Sequence, residues 1–580
     1  MWYLGPQRRW VLLAQTTGFL LAAYSLARFS LSSTWLLVFV VPLVLNVITS
    51  VVSLSSSQRR RRVDLVDHTS TVTDWRPERY PSVDFFLPTC GEAIEVLENV
   101  YAHVAAVVWE GPVTVYVLDD GARPEVRQAA ARHGFNYVVR PNRGELKKAG
   151  NMRHAFNVSS GDLVAVLDAD FCPRVDYLYH LVPYFDDAGV GIVQSPQVFD
   201  TDTSMNWLQR AAGATQELFY RWIQPSRDRA GAPICVGTNA VYRRAALVDA
   251  GGFAAIEHSE DVHTGVNMLK VGYATQYVPI QVAKGVCPDS LRAFINQQYR
   301  WCTGSMSLLG SKEFHRSPLT LRQRLCFWAG FLYYITTAVN VFTMFLPAIV
   351  MAFFFPEDVR ASHYIPFTIP MWLWLVLMPY QMKNRWRYEV LRVQVVYSFC
   401  HAVAIADMLL GRTAGWVPTG SVGGSDGLAR RVAQVAVVST GLILAGGYGG
   451  LLYGALTQGW AEFWPMAMFL VAKTYLGVPL IRDLMAECRP FGRTVVGGGS
   501  ARSTARVDGP VIDIVLSREQ PPAQPAEIRL GVLTALTSPS IRERSAHSLS
   551  RIEAVTITAA LALGISLAAG WFDLMLAWGW

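Results

Sequence analysis

Apolar positions along the chain follow two regimes. From Trp10 to about Phe29, and again from Trp35 to about Leu54, they run on long enough for a helix to cross a bilayer. Between Val63 and Arg316 no run is that long. Short strand-like runs at Val83–Leu87, Val113–Leu118 and Leu163–Leu167 alternate there with helical patterns at Glu92–Val108 and Glu125–His133. Such alternation predicts an α/β domain with a largely parallel sheet, in which ligands sit beyond the carboxyl ends of the strands. Long apolar runs return at Leu325–Phe355, Tyr364–Gln381, Val432–Leu456, Glu462–Ile481 and Ala554–Trp580, which makes about seven spans.

Charge placement orients these spans. Arg8-Arg9 and Arg59-Arg60-Arg61-Arg62 flank the first pair, whereas the connector Ser30–Thr34 carries no basic residue. By the positive-inside tendency both flanks face the cytosol. The stretch near 383–412 is interrupted by Gln394, His401 and Asp407 and has arginines at both ends, so it is expected to lie on the membrane face as an amphipathic helix. The organisation read from the pattern is therefore two membrane helices in 1–58, a cytosolic domain in 59–316, membrane helices in 317–481, a polar tail in 482–553 and a last span in 554–580. Val511–Leu516 and Ile528–Leu533 are the only strand-like runs expected in the tail.

Composition agrees with a membrane protein carrying a soluble module: the chain has 580 residues, of which 52% are hydrophobic. A net charge of +7, clustered beside apolar runs, suits membrane orientation and anionic substrates rather than nucleic acid. The eight cysteines show neither C-x-x-C nor ligand-like spacing with histidine, so neither a disulfide framework nor a zinc site is expected.

Candidate chemistry lies at the strand ends. The first strand runs into Pro88-Thr89-Cys90-Gly91-Glu92, the second into Asp119-Asp120-Gly121, the third into Asp168-Ala169-Asp170, and Lys148-Ala149-Gly150-Asn151 stands between the last two. Carboxylates two apart at a strand end can hold a hard divalent cation, which in turn neutralises a diphosphate. One such pair alone would be an ordinary solvated turn, but three acidic or polar ends in this order are not. Further on, Gly237-Thr238 is followed by Ser259-Glu260-Asp261 at a helix start and then by Gln297-Gln298-Tyr299-Arg300-Trp301. An acid pair supplies a base, an arginine a cation for a leaving diphosphate, and an indole a plate for a sugar ring.

As an ordered set from Val83 to Trp301, these motifs resemble the processive family 2 glycosyltransferases: cellulose synthases and, more distantly, chitin and hyaluronan synthases. The resemblance implies a GT-A fold joined to a polytopic membrane region, a UDP-sugar donor, Mg²⁺ or Mn²⁺, and a growing β-glucan threaded through the enzyme's own channel. It implies an inverting hexosyltransferase of the plasma (inner) membrane with a cytoplasmic catalytic domain. It assigns Thr89, Glu92, Asp119, Asp120 and Lys148 to the uridine side of the donor, and Asp168 and Asp170 to the metal and diphosphate. Asp261 becomes the catalytic base with Glu260 in support. Gln297 and Arg300 fall to the donor, and Gly237, Thr238 and Trp301 to the acceptor. Gln194-Ser195-Pro196-Gln197-Val198-Phe199 resembles a family strand and is expected to give structural support.

Two positions depart from the family. Val236 stands where cellulose synthases carry an acceptor-contacting cysteine, and Trp416-Val417-Pro418-Thr419-Gly420, near 413–425, replaces the gating-loop pattern. Arg502 and Arg506 form an R-x-x-x-R without its companion motif and are read as a chance match. Trp328, Trp372, Trp374 and Trp464 lie in the spans, where most are expected to anchor at lipid interfaces and the alternative is to line a glycan path by stacking. The leading expectation is synthesis of cellulose or a mixed-linkage β-glucan from UDP-glucose. The alternatives are a synthase using UDP-N-acetylglucosamine, alone or with UDP-glucuronate; a transferase loading one sugar onto a lipid phosphate; and a transporter or scaffold with an inactive transferase domain.

Overall fold

A computed structural model describes residues 2–4, 9–31, 34–199, 205–377, 389–414, 426–487 and Thr558. The three expected strands form as β1 (Val83–Thr89), β2 (Val113–Asp119) and β4 (Leu163–Val166), with β3 (Asn136–Val138) beside β2. The remaining strands are β5 (Cys172–Pro173), β6 (Val190–Gln194), β7 (Val198–Phe199), β8 (Ala240–Arg243), β9 (Ala274–Tyr277) and β10 (Ala283–Gly285). Seven strands make one sheet in the order β3-β2-β1-β4-β8-β6-β9, and β5-β10-β7 make a small second one. β3, β2, β1 and β4 are parallel, as are β6 and β9, while β8 runs against both β4 and β6. The sheet is thus mixed, and β8 is the strand by which it departs from a parallel one.

β1 is buried along its whole length, as a central strand covered on both faces must be. Phe85 and Phe86 are wholly inaccessible and point to opposite faces. Each contributes about 2 kcal/mol by leaving water. The helices Ile94–Ala105 and Pro124–Arg132 cover one face with Phe85. The helix Lys147–Val158 covers the other with Phe86. β1, β2 and β4 therefore end on the same edge, bringing Thr89, Asp119 and Asp168 side by side: Thr89 pairs in register with Asp119, and Leu167 N, one residue before Asp168, donates to Phe86 O at 3.2 Å.

Among the described residues five helices are long and apolar enough to cross a membrane: Thr34–Ser57, Leu321–Phe354, Glu389–Leu409, Gly427–Gln458 and Trp460–Ala486. Four match expected spans. The fifth, Glu389–Leu409, is the stretch expected on the membrane face; its apolar window is half buried, and it packs on the helices Trp207–Leu218, Leu291–Leu309 and Leu321–Thr343. The first expected span forms the helix Arg9–Leu31, and the stretch at 364–381 begins as Ile365–Trp372. Asn46 and Asn340 exchange amide hydrogen bonds of 2.8 and 2.7 Å between the helices Val40–Ser57 and Leu321–Thr343, a polar clasp inside an apolar contact. The tail at 488–553, the last span apart from Thr558, and the loop stretch Trp416–Gly420 lie outside the described residues, with Arg502 and Arg506.

Candidate active site

The first two strand ends close on themselves. Thr89 Oγ1 donates to Glu92 Oε2 at 2.6 Å, and the same oxygen accepts Cys90 N at 2.7 Å. Asp119 accepts Gly121 N at 2.8 Å, Arg123 N at 2.7 Å and the Tyr137 hydroxyl at 2.9 Å, which folds the turn after β2. Asp120 is gripped by Arg140 through Nε and Nη2, each at 2.6 Å, with both side chains buried. Both carboxylates of the aspartate pair are thus committed to holding the loops after β2 and β3.

The third strand end meets the later motifs. Thr238 Oγ1 accepts Asp168 N at 2.9 Å, binding the turn before β8 to the end of β4. Lys148, from the helix Lys147–Val158, contacts Asp168, donates to Gly237 O at 3.1 Å and stands 3.6 Å from Glu260 Oε1. Burial alone would depress the Lys148 ammonium, but Asp168 and Glu260 outweigh it and hold the group charged well above its ordinary range. Gly237 abuts Asp261 so closely that a Cβ there would lie 2.8 Å from Oδ2, and its φ of +73° suits glycine. Burial, with Glu260 beside it, pushes the Asp261 carboxyl up to about 7. Glu260 and Asp261 open the helix Glu260–Lys270, and acidic residues in a first turn face the positive end of the helix dipole.

The helix Leu291–Leu309, capped by Ser290, brings the last motif. Gln297, Arg300 and Trp301 stand three and four residues apart and so share one face. Burial pulls the Arg300 guanidinium down, while Asp168, Glu260, Asp170 and Asp261 all favour its charged form. One cation thus feels both acidic motifs. A Cβ at Gly304, one turn on, would collide with Ser259 Oγ, so this helix lies directly on the start of the helix Glu260–Lys270. Trp301 is half-buried.

Strain collects around these residues. Lys147, Asn239 and Ser259 adopt φ of 48°, 53° and 55°, left-handed values for residues with a Cβ. Each adjoins a candidate site residue. Gln194 and Gln197 brace the same turn by donating to Ile234 O at 2.5 Å and Val236 O at 2.9 Å, the structural support expected of that strand.

Residues 163–386 match the family model described as Glycosyl transferase family group 2. The match takes in the stretch from β4 through the Gln297–Trp301 motif, less than half of the chain. Among the described residues, the acidic strand ends lie on one edge of a mixed sheet, and five helices are long and apolar enough to cross a membrane. The chain is 33% identical over 261 residues to a cellulose synthase catalytic subunit [UDP-forming] of Xanthomonas axonopodis pv. citri (strain 306), covering 44% of this chain and 36% of that protein. Over 325 residues it is 29% identical to cellulose synthase 1 catalytic subunit [UDP-forming] of Komagataeibacter xylinus, covering 54% of this chain and 43% of that protein. The chain therefore spans less than half the length of these relatives. A mannosyltransferase from Pyrobaculum calidifontis, solved in complex with GDP-Man and Mn2+, superposes with a TM-score of 0.36 at 15% identity, covering 77% of this chain and 98% of that one.

The transferase domain has hard oxygen donors suited to a divalent cation. Asp170 is half-buried, and burial together with Asp168 and Glu92 pushes its carboxyl up to about 7. Among the described residues no group of three His, Cys, Asp or Glu side chains is placed to hold a metal ion by itself. An ion at Asp168 and Asp170 would draw its remaining ligands from a bound diphosphate or from water.

Sequence reasoning missed the second layer of the transferase site. Arg140 neutralises Asp120, Arg123 Nη1 donates to Glu92 O at 2.6 Å, Tyr137 orients Asp119, and Asn151 donates to Leu118 O at 2.7 Å to hold the Lys148 helix against β2. No motif marks Arg123, Tyr137 or Arg140, whereas Asn151 closes the motif that begins at Lys148. They act through contacts that only the folded sheet creates.

Proposed function

We propose that the protein is a processive, inverting β-glycosyltransferase that polymerises glucose from UDP-glucose into a β-glucan of the cellulose or mixed-linkage type and moves it across its membrane. The observation that carries this reading is the convergence of Asp168, Asp170, Glu260 and Asp261 on Lys148 and Arg300, beneath helices long enough to span a bilayer.

In this mechanism Asp261 takes the proton from the acceptor hydroxyl as that oxygen attacks the anomeric carbon on the face opposite UDP. A carboxyl raised toward neutrality is a stronger base than a solvated one, and Gly237 fixes its place. Arg300 stabilises the charge developing on the departing diphosphate, where burial strengthens its field. Lys148 holds Asp168 and Glu260 together and keeps their mutual repulsion from opening the site. Trp301 offers its indole face to the terminal acceptor sugar, with Gln297 one turn before it. Thr89 and Glu92 shape the donor loop, while Asp119 and Asp120 hold that loop through Arg123, Tyr137 and Arg140. A Mg²⁺ or Mn²⁺ ion held by Asp168 and Asp170 would neutralise the diphosphate.

The relatives' names as UDP-forming cellulose synthase subunits support the choice of donor and product. The test is incubation of the full chain in lipid with each UDP-sugar and metal, followed by digestion of the product with linkage-specific glycosidases. Polymer from UDP-glucose cleaved by a β-1,4-glucanase is the expected result. Polymer from UDP-N-acetylglucosamine alone would move the assignment to a chitin-type synthase.

A further inference from the structure

Residues Trp2–Leu4 lie against the domain built on the seven-stranded sheet. Trp2 makes an antiparallel bridge to Ile280, and Tyr3 N donates to Pro279 O at 3.0 Å. Tyr3 and Leu4 are only 6% and 2% exposed, in one apolar cluster with Tyr220 and Tyr277, and Phe219 and Val236 pack against that cluster. Arg221 donates through Nη1 to Tyr3 O, and its guanidinium stands 4.1 Å from the centre of the Tyr3 ring, whose face attracts the charge. The contact falls where the helix Trp207–Leu218 widens into a π turn, Phe219–Ile223, before continuing as Gln224–Arg229. Such turns are rare and frequent at functional sites, and this one is held from three directions. Tyr220 O accepts the Tyr277 hydroxyl at 2.7 Å, Arg221 reaches Tyr3, and Trp222 Nε1 donates to Ser57 O at 2.8 Å at the end of the helix Val40–Ser57.

The same cluster reaches the base. Tyr220 lies within electrostatic range of Asp261 and Asp168. Val236 directly precedes Gly237, the glycine that abuts Asp261. Gln194 Oε1 accepts Val236 N at 3.2 Å and Gln197 Nε2 donates to Val236 O at 2.9 Å, so the backbone of this turn is held through β6 and the residues after it. Two bonds at one residue still leave a glycine-bearing turn free to pivot, because glycine restricts its backbone least of all residues. Packing on the Val236 side chain removes that freedom, since a close-packed interior transmits a shift instead of absorbing it. We propose that Tyr3 is a positioning residue for Asp261: with Leu4 it closes the cluster on Val236 and holds the turn Cys235–Gly237 against the base. The role rests on the polymerase reading above, in which Asp261 is the base, and adds to that site a segment that no motif marks.

The test uses the full chain in phosphatidylcholine vesicles and compares wild type with Tyr3→Ala and Tyr3→Phe. It reads kcat with the UDP-sugar that the wild type polymerises, UDP affinity by titration, and vesicle flotation. Tyr3→Ala should lower kcat about tenfold or more, while UDP affinity changes about twofold or less and flotation is unaltered. Tyr3→Phe should recover most of that loss, because its ring still packs on the cluster and faces Arg221. Should Tyr3→Ala fail to fold, Leu4→Val carries the comparison, with kcat expected to fall about threefold at unchanged UDP affinity. An unmoved kcat in a folded variant overturns the inference. So does a fall in kcat matched by an equal loss of UDP binding or of flotation, which would mark a segment that only supports the fold or anchors the helix Arg9–Leu31. In either case synthesis by the wild type leaves the polymerase reading standing; a wild type that makes no polymer from any UDP-sugar removes that reading and the inference with it.

Discussion

Lys148 Nζ stands 3.6 Å from Glu260 Oε1 while also touching Asp168, so one ammonium joins the acidic end of β4 to the acidic start of the helix Glu260–Lys270. It also lowers the proton affinity of Asp261. Lys148→Met removes that field and lets the carboxylates repel one another. Activity is expected to fall about hundredfold or more. The acidic limb of the kcat/KM profile should move to higher pH, because Asp261 without its neighbouring cation holds its proton longer. An unmoved limb would mean that Lys148 acts on the donor alone.

Asp261 itself sets the pH response. With its carboxyl pushed up to about 7, the base is protonated and idle in acid, so kcat/KM should rise as pH passes through neutrality. The sign for stability is opposite. Between the ordinary carboxylate range and about 7 the folded protein binds more protons at this site than the unfolded chain does, so stability falls as pH rises through that window. Asp261→Asn should therefore lose about a hundredfold or more in synthesis, keep UDP binding, and melt higher than the wild type at pH 8. Retained synthesis would remove Asp261 as the base.

The loop after β2 tests a different kind of carboxylate. Asp120 and Arg140 form a buried, doubly hydrogen-bonded pair, and removing one partner leaves the other charge buried alone. Asp120→Asn should cost about 3–5 kcal/mol, read as a drop in Tm. Arg140→Met combined with Asp120→Leu should recover much of it. If the double variant melts near the wild type and still binds UDP, Asp120 closes the loop. If it folds without UDP binding, Asp120 contacts the nucleotide.

Much of this site is legible along the chain, for a physical reason. β1, β2 and β4 are apolar runs that stop at acidic or polar residues, so strand, end and chemistry are written consecutively. The Gln297, Arg300 and Trp301 spacing likewise specifies a shared helix face. What escapes is whatever depends on distant partners. The antiparallel course of β8 follows from its docking between β4 and β6, and nothing in Ala240–Arg243 announces it. Arg140 becomes a partner of Asp120 only once β3 has paired with β2. The helix Glu389–Leu409 reads as a surface element because of His401 and Asp407, yet folding buries both: His401 bonds Thr337 at 2.8 Å, and Asp407 accepts the Tyr299 hydroxyl at 2.8 Å.

Gly237 is a sharper probe of geometry than any charged residue here. Alanine at this position meets two obstacles, a φ of +73° and a Cβ 2.8 Å from Asp261 Oδ2. Gly237→Ala should therefore displace the base, lowering kcat about hundredfold while leaving UDP affinity nearly unchanged. Steady-state kinetics with a parallel UDP titration checks it; equal losses in both would point to collapse of the turn.

Trp301 decides between a polymerase and a transferase that merely splits its donor. It rides on the helix Leu291–Leu309, whose opposite side is fastened where the Tyr299 hydroxyl bonds Asp407 at 2.8 Å, while one turn on from Trp301 Gly304 presses on Ser259. The indole is therefore held rigidly beside Arg300 without being needed to position it. Stacking on a pyranose depends on the ring face, so Trp301→Ala should raise the acceptor KM about tenfold and shorten the product, with donor hydrolysis altered about twofold or less. Trp301→Phe should restore part of the product length, because a smaller aromatic face still stacks. A lipid-anchoring tryptophan would behave differently: alanine would weaken membrane insertion and leave chain length alone. Product sizing beside a membrane-flotation assay separates the two roles.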